Sequence, residues 1–325
     1  MANAKKSTSK RSPSAKKSAK KSAKKIIPAV RYLRYELTNS ATPGTEKSHF
    51  LDLAKDLSAV NRRLYRQGRT YHIKRITIVS SNTGNQDNRV SFSTVPHSWP
   101  AVGGWTRGFK TWNDMNKEAT MAMSTDVSGT WSDFKVYMSD DMRTGTTLSP
   151  LDNGGNAVSA GEWVYTRLIT PDGTTSADEF YLHMLGDHNG AAGARISAGL
   201  IRSFGESRAT VSDFHPNVPG DVSDDPLVNV FDYGTSIDEV VDRMEVDNDN
   251  PPYDTDNYPG DNNNMPKPLV VQDTTLVDGK ATVGGFAAMC GLVEIESKSP
   301  VPSDVYSILV ELAPGNFRGI KADVI

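Results

Sequence analysis

The sequence predicts an all-β chain: an antiparallel β-sandwich, a single jelly roll with a few inserted helices, preceded by a disordered basic N-terminal arm. Three observations predict it. Short runs rich in Val, Ile, Tyr and Phe, bounded by Gly, Pro, Asn and Asp, recur along most of the 325 residues. Helical periodicity interrupts them too rarely and too irregularly for βαβ units. The leading segment, with SKRSPSAKKSAKKSAKK at its centre, has little apolar material beyond Ala and cannot offset the entropy of ordering its backbone.

The arm covers residues 1–28 and the body 29–325. SAKK repeats at Ser14, Ser18 and Ser22, a low-complexity pattern that supports diffuse electrostatics. Up to Arg34 the chain carries 12 Lys and Arg; its first acid is Glu36. The whole chain has a net charge of −3, so the remainder, with 24 basic and 39 acidic residues, stands at −15. A cationic arm on an anionic body is the footprint of a protein that holds a polyanion through its tail. The expected nucleic-acid contacts in the arm are Lys5, Lys6, Lys10, Arg11, Lys16, Lys17, Lys20, Lys21, Lys24 and Lys25, followed by Arg31 and Arg34.

After Pro28, RYLRYELT alternates, with Leu33, Tyr35 and Leu37 on one face of a strand. Phe50, Leu53, Leu57, Val60 and Leu64 then step by three and four, predicting a helix that ends near Gly68. Its end carries Arg62, Arg63, Arg66 and Arg69, with Lys74 and Arg75 just beyond. Four Arg within eight residues suit the helix dipole and equally suit forked contact with phosphates. A second helix is expected from Thr106 to about Ala119, with Trp105, Phe109, Trp112 and Ala119 along one face. A third begins at Ser236, capped by Glu239, with Ile237, Val240, Val241 and Met244 as its stripe. Further strands are expected from Thr70, Arg89, Phe134 (FKVYM), Glu162 (EWVYTRLIT), Glu179, Ser197 (SAGLIRSF), Gly291 and Val305.

Between Ser212 and Asn264 lie 14 acids and one base, Arg243. Residues 212–264 are therefore expected to form an acidic surface loop. Asp247, Asp249, Asp254, Asp256 and Asp261 could offer oxygens to Ca²⁺, but their spacing is not that of an EF-hand, and a solvated acidic loop is the simpler reading.

Catalytic chemistry is not expected, and no cofactor is called for. There is no phosphate-cradling G-x-x-x-x-G-K-[ST], no G-x-S-x-G, and only scattered His. His183 and His188, on a strand leaving into a turn, should face opposite sides. No carboxylate pair stands in an apolar setting that would raise a pKa for acid-base work. Cys290, the single cysteine, excludes an internal disulfide and reads as a buried thiol in GFAAMCGLV. No apolar run reaches the length a membrane-spanning helix needs, and IIPAV is too short for a secretory leader. The acid-free, Ser-rich arm shares features with a transit peptide, but its Lys pairs and lack of an apolar face favour nuclear import or nucleic-acid contact.

With these residues in view, the chain resembles the capsid proteins of small circular single-stranded DNA viruses that encode a rolling-circle replication protein, the circovirus-like group. The likeness lies in LAKDLSAVNRRLYRQGRTYHIKRITI from Leu53, VPHSWPAVGGWTRGFKTWNDMNKEA from Val95, AGLIRSFGESRATV from Ala198, FAAMCGLVEIES from Phe286 and YSILVELAPGNFRGIKADV from Tyr306. The resemblance implies a jelly-roll subunit that assembles with copies of itself into an icosahedral shell. It also implies an arm that grips a single-stranded DNA genome inside the virion and engages the host nuclear import machinery, so that assembly passes through the host nucleus. The arms of that group are Arg-rich whereas this one is mostly Lys, a point charge without a planar fork, which favours sequence-blind neutralisation. Two other readings stand beside it. One is a cellular chromatin-type protein with a histone-like tail. The other is a β-sandwich enzyme or carbohydrate binder with a basic targeting arm.

Overall fold

The computed structural model describes residues 28–82, 84, 87–122, 131–170, 178–191, 194–207 and 269–325. The expected helix at Ser236, the acidic loop with its five Asp candidates, and the arm's Lys and Arg through Lys25 lie outside the described residues. In chain order the first elements are β1 (Tyr32–Thr38), β2 (Lys47–Asp52), α1 (Leu53–Asn61), β3 (Arg69–Ser80), β4 (Arg89–Thr94), α2 (Trp99–Ala122) and α3 (Asp140–Thr144). Then come β5 (Arg167–Thr170), β6 (Asp178–His183), β7 (Asn189–Ala191), β8 (Ala194–Gly199) and α4 (Leu200–Glu206). The last part holds β9 (Leu269–Thr275), β10 (Lys280–Gly284), β11 (Ala287–Met289), β12 (Leu292–Lys298), β13 (Val305–Leu312), β14 (Pro314–Gly315), β15 (Gly319–Ile320) and β16 (Ala322–Val324).

Period-two alternation builds the first sheet. β1 buries Leu33, Tyr35 and Leu37 and turns Tyr32, Arg34 and Glu36 outward. The sheet runs β1-β13-β3-β10, and β11 and β16 also pair with β3. The second sheet runs β2-β12-β4-β9, and every pair in both sheets is antiparallel. Inward-facing rows such as Tyr35↔Ile308↔Ile78 in one sheet and Ile295↔Phe92 in the other meet in a shared core. Each fully buried Leu, Ile, Val or Phe there is worth roughly 1.5–3 kcal/mol of transfer free energy. The body is therefore an antiparallel β-sandwich.

A second apolar cluster lies beside it, formed by the first half of α2, α4, the segment Phe134–Met138 and a third sheet, β5-β6-β8-β7. Trp105 stacks on Phe109 at 5.2 Å and Trp112 lies 5.9 Å from Phe134, so these rings are core, as their spacing predicts. The helix is longer than expected, beginning at Trp99, and its last residues, Ala119 included, are exposed.

Four local expectations are corrected. The helix predicted from Phe50 begins only at Leu53: Phe50 pairs with Glu294 as a strand residue and Asp52 caps the helix, accepting from the Lys55 N–H at 3.1 Å. It ends at Asn61, because Arg62 adopts a left-handed conformation (φ 52°) with its N–H on the Ser58 carbonyl. Gly68 serves packing instead of termination: a Cβ there would lie 2.8 Å from the Trp105 ring. Phe134–Met138 is extended but pairs only at Tyr137, since the N–H groups of Lys135 and Val136 are taken by side-chain oxygens of Thr166 and Gln67. SAGLIRSF splits into the end of β8 and α4, and of EWVYTRLIT only β5 is strand.

Candidate nucleic-acid interface

The chain emerges toward its arm beside the end of α1. Asn61 holds that exit: the Val30 N–H donates to its Oδ1 at 2.7 Å and its Nδ2 donates to the Val30 carbonyl at 3.1 Å. Arg63 reaches the Pro28 carbonyl at 3.5 Å. The main chain of Arg31 is fixed by the Leu312 N–H at 2.9 Å. Arg34, on the outer face of β1, pairs with Glu36 at 2.6 Å, both side chains being largely solvated. An exposed pair of this kind is worth little and rearranges readily around a stronger anion. A surface cleft of about 680 Å³ opens at the same place, lined by Val30, Tyr32, Arg34, Ser58, Arg62 and Asp152 among others.

Arg34 and Arg62 thus line one cleft where the chain meets its arm, with Arg63 at Pro28 beside them and Arg31 placed there by its main chain. Arg66 and Arg69 do not join them. Arg66 pairs at 2.8 Å with Asp133, a carboxylate that is nearly buried. Arg69 lies 3.8 Å over the Phe317 ring and donates to the Ala322 carbonyl at 3.3 Å. Both have structural partners in the body.

The outer face of the first sheet extends the basic surface. β3 carries one residue more than β13 between Ile73 and Arg75, a bulge that turns Lys74 and Arg75 to the same side. Both converge on Glu311, Lys74 at 2.7 Å and Arg75 at 2.9 Å. The hydrogen bond from Lys74, then the two positive charges, hold the Glu311 carboxyl below the usual range. The sequence sets Lys74 and Arg75 just beyond the arginine cluster but does not put them on one face, because a bulge is invisible in a period-two pattern.

Two other expectations fail. His183 and His188 do not face opposite sides. The bend at Met184–Gly186 folds back so that both rings reach Gly199: its N–H donates to His188 Nδ1 at 3.1 Å, and a Cβ on it would lie 3.3 Å from His183 Cε1. His183 Nδ1–H donates to the Leu185 carbonyl at 2.7 Å. Among the described residues no group of three or more His, Cys, Asp or Glu is placed to hold a metal.

Nor are the carboxylates all in water. Asp52 and Asp56, one turn apart on α1, are both 0% exposed. Asp52 Oδ2 accepts from Gln67 Nε2 at 2.8 Å, Trp163 Nε1 at 3.1 Å and the Tyr165 hydroxyl at 3.1 Å. Asp56 Oδ2 accepts from the Tyr35 hydroxyl at 2.6 Å, while its Oδ1 is buried without a partner. Burial raises both carboxyl pKa values, that of Asp56 well above the ordinary value, with the charge of Asp52 adding to it. The i,i+4 spacing alongside Leu53 and Leu57 in DLAKDL was the available signal. Cys290 is buried as expected, and burial pushes its thiol up. No described helix is long and apolar enough to cross a membrane.

Comparison with family models, with curated proteins and with solved structures finds no match to this chain.

Proposed function

We propose that the chain is a viral capsid subunit whose sandwich is a jelly roll, tiling with copies of itself into an icosahedral shell while the lysine-rich arm neutralises a packaged single-stranded DNA genome. The strand order supports the winding. Taking β1, β2, β3, β4, β9, β10, β12 and β13 as eight successive strands, the two sheets read 1-8-3-6 and 2-7-4-5. First and last strands are neighbours, and the chain crosses repeatedly between the sheets.

The observation that carries the reading is the convergence of charge. An acid-free leader joins the body where Arg34 and Arg62 line a cleft and Arg63 holds Pro28, next to a sheet face bearing Lys74 and Arg75. Lysines in the leader and forked arginines at its root provide sequence-blind and geometric phosphate contacts respectively. In this reading the arm also serves nuclear import.

Expression of the full chain and imaging at neutral pH tests it. Closed shells of uniform diameter that retain nucleic acid are the expected product; a monomer under all buffers would favour the chromatin-type reading. If all twelve cations through Arg34 engage a single strand, log affinity falls with log salt at a slope of about −8. Removing residues 1–25 takes away ten of them and should flatten that slope by about 7.

A further inference from the structure

We propose that Asp52 and Asp56 form a proton-operated latch that ties the segment Trp163–Tyr165 to α1, holding while Asp56 keeps its proton and loosening when that proton is lost. The proposal is independent of what the basic surface binds.

The geometry separates the two carboxyls. Asp52 is furnished as an anion, with the Lys55 N–H on Oδ1 and three side-chain donors on Oδ2. Of the cations facing it, Lys55 lies on the same helix and Lys135 sits 4.8 Å from the Trp163 ring. Asp56 has one donor, Tyr35, and a bare Oδ1. The other titratable groups turned toward the pair are Tyr71 from β3, Tyr165, Asp133 beside Lys135, and Cys290 from the turn before β12. Lys55 is the one cation among those acting on Asp56. A second negative charge beside Asp52, out of contact with water, is relieved by admitting water, and water reaches the pair when the partly exposed segment Trp163–Tyr165 lifts away from Asp52. Three bonds cross, from Gln67, Trp163 and Tyr165; the last two come from the one segment, and the Lys55 bond is internal to α1.

The sign follows from the raised position of Asp56. A carboxyl that holds its proton more tightly in the folded chain than in the unfolded one contributes its full stability in acid. That contribution declines as pH climbs above the unfolded value. The latch therefore opens toward alkaline pH.

The test uses the full chain, titrated from mildly acidic to mildly alkaline buffer. Trp163 emission is taken as the difference from Trp163→Phe, and amide exchange is followed over residues 163–165. Emission should shift and exchange rise together with pH, and Asp56→Asn should abolish both responses. An unchanged response in Asp56→Asn overturns the proposal. Should that variant not fold, Tyr35→Phe decides. It removes the sole donor to the ionised form, so the midpoint should move up by on the order of one pH unit. A midpoint that stays or moves down overturns the latch.

Discussion

Asn61, the last residue of α1, and Val30, just before β1, exchange two hydrogen bonds at 2.7 and 3.1 Å. A side-chain amide there imitates a strand partner, and it fixes the direction in which the chain leaves toward its arm. Asn61→Ala removes both bonds, at a cost of roughly 1–2 kcal/mol. Amide exchange at Val30 should accelerate in that variant while the salt slope of nucleic-acid binding stays the same. A changed slope would show that Asn61 does more than anchor the exit.

The arginines divide into two experiments. Arg62→Gln with Arg63→Gln should flatten the salt slope for a single strand by about 1.4, because two phosphate contacts go. Arg69→Gln should leave the slope alone and lower the melting temperature, since Arg69 loses its place over Phe317 at 3.8 Å. Affinity that falls equally in both would place Arg69 on the interface.

Two imidazoles set the acid limit. Burial lowers His49 and His183 from 6.5 to about 4 in each case. The folded chain then binds fewer protons than the unfolded chain, so stability is present above the unfolded pKa and is lost as pH falls from there toward about 4. For His183, which is 0% exposed with Nε2 unpartnered, the loss is on the order of 3 kcal/mol. His183→Gln should flatten the acid arm of a urea-denaturation series. The same slope as in the native chain would mean the ring is charged when folded.

Gly199 marks a place without room. A Cβ there would lie 2.2 Å from the Gly186 carbonyl oxygen, a backbone atom that cannot step aside. Gly199→Ala should cost more than about 2 kcal/mol and expose the third sheet to proteolysis before the sandwich. Wild-type thermal stability in that variant would show the β8–α4 junction to be adjustable.

Strands whose period-two pattern stands alone were legible: β13 matches its run from Val305 to Leu312, and β1 lies within its run. β2 was hidden because Phe50 falls three residues before Leu53, so a strand end and a helix start share one helical stripe. Phe134–Met138 looked like a strand because its side chains are core residues. Whether it pairs was settled by Gln67 and Thr166, side chains distant in sequence. The cationic character of the arm's root was readable from composition. The separation of Arg62 and Arg63 from Arg66 and Arg69 was not, because it depends on Asp133 and Phe317 being brought beside the latter. Asp52 and Asp56 were missed for the converse reason: carboxylates are ordinarily solvated, and the spacing in DLAKDL, which sets the two beside apolar neighbours, does not say that Tyr35, Trp163 and Tyr165 will close over them.

The extra residue at Lys74 makes β3 two strands in series. Its first part, Arg69–Ile73, serves β11 and β16; its second, Arg75–Ser80, serves β10 and most of β13. An even run would force both stretches into one flat ribbon. The odd residue offsets the two stretches by one on the β13 side, while on the other side β10 and β11 hold both in a single even register. Deleting Lys74 should therefore even out the pairing with β13 but throw β3 out of step with β10 and β11, whose pairs Gly284↔Arg75 and Ala287↔His72 run past Lys74 without a shift.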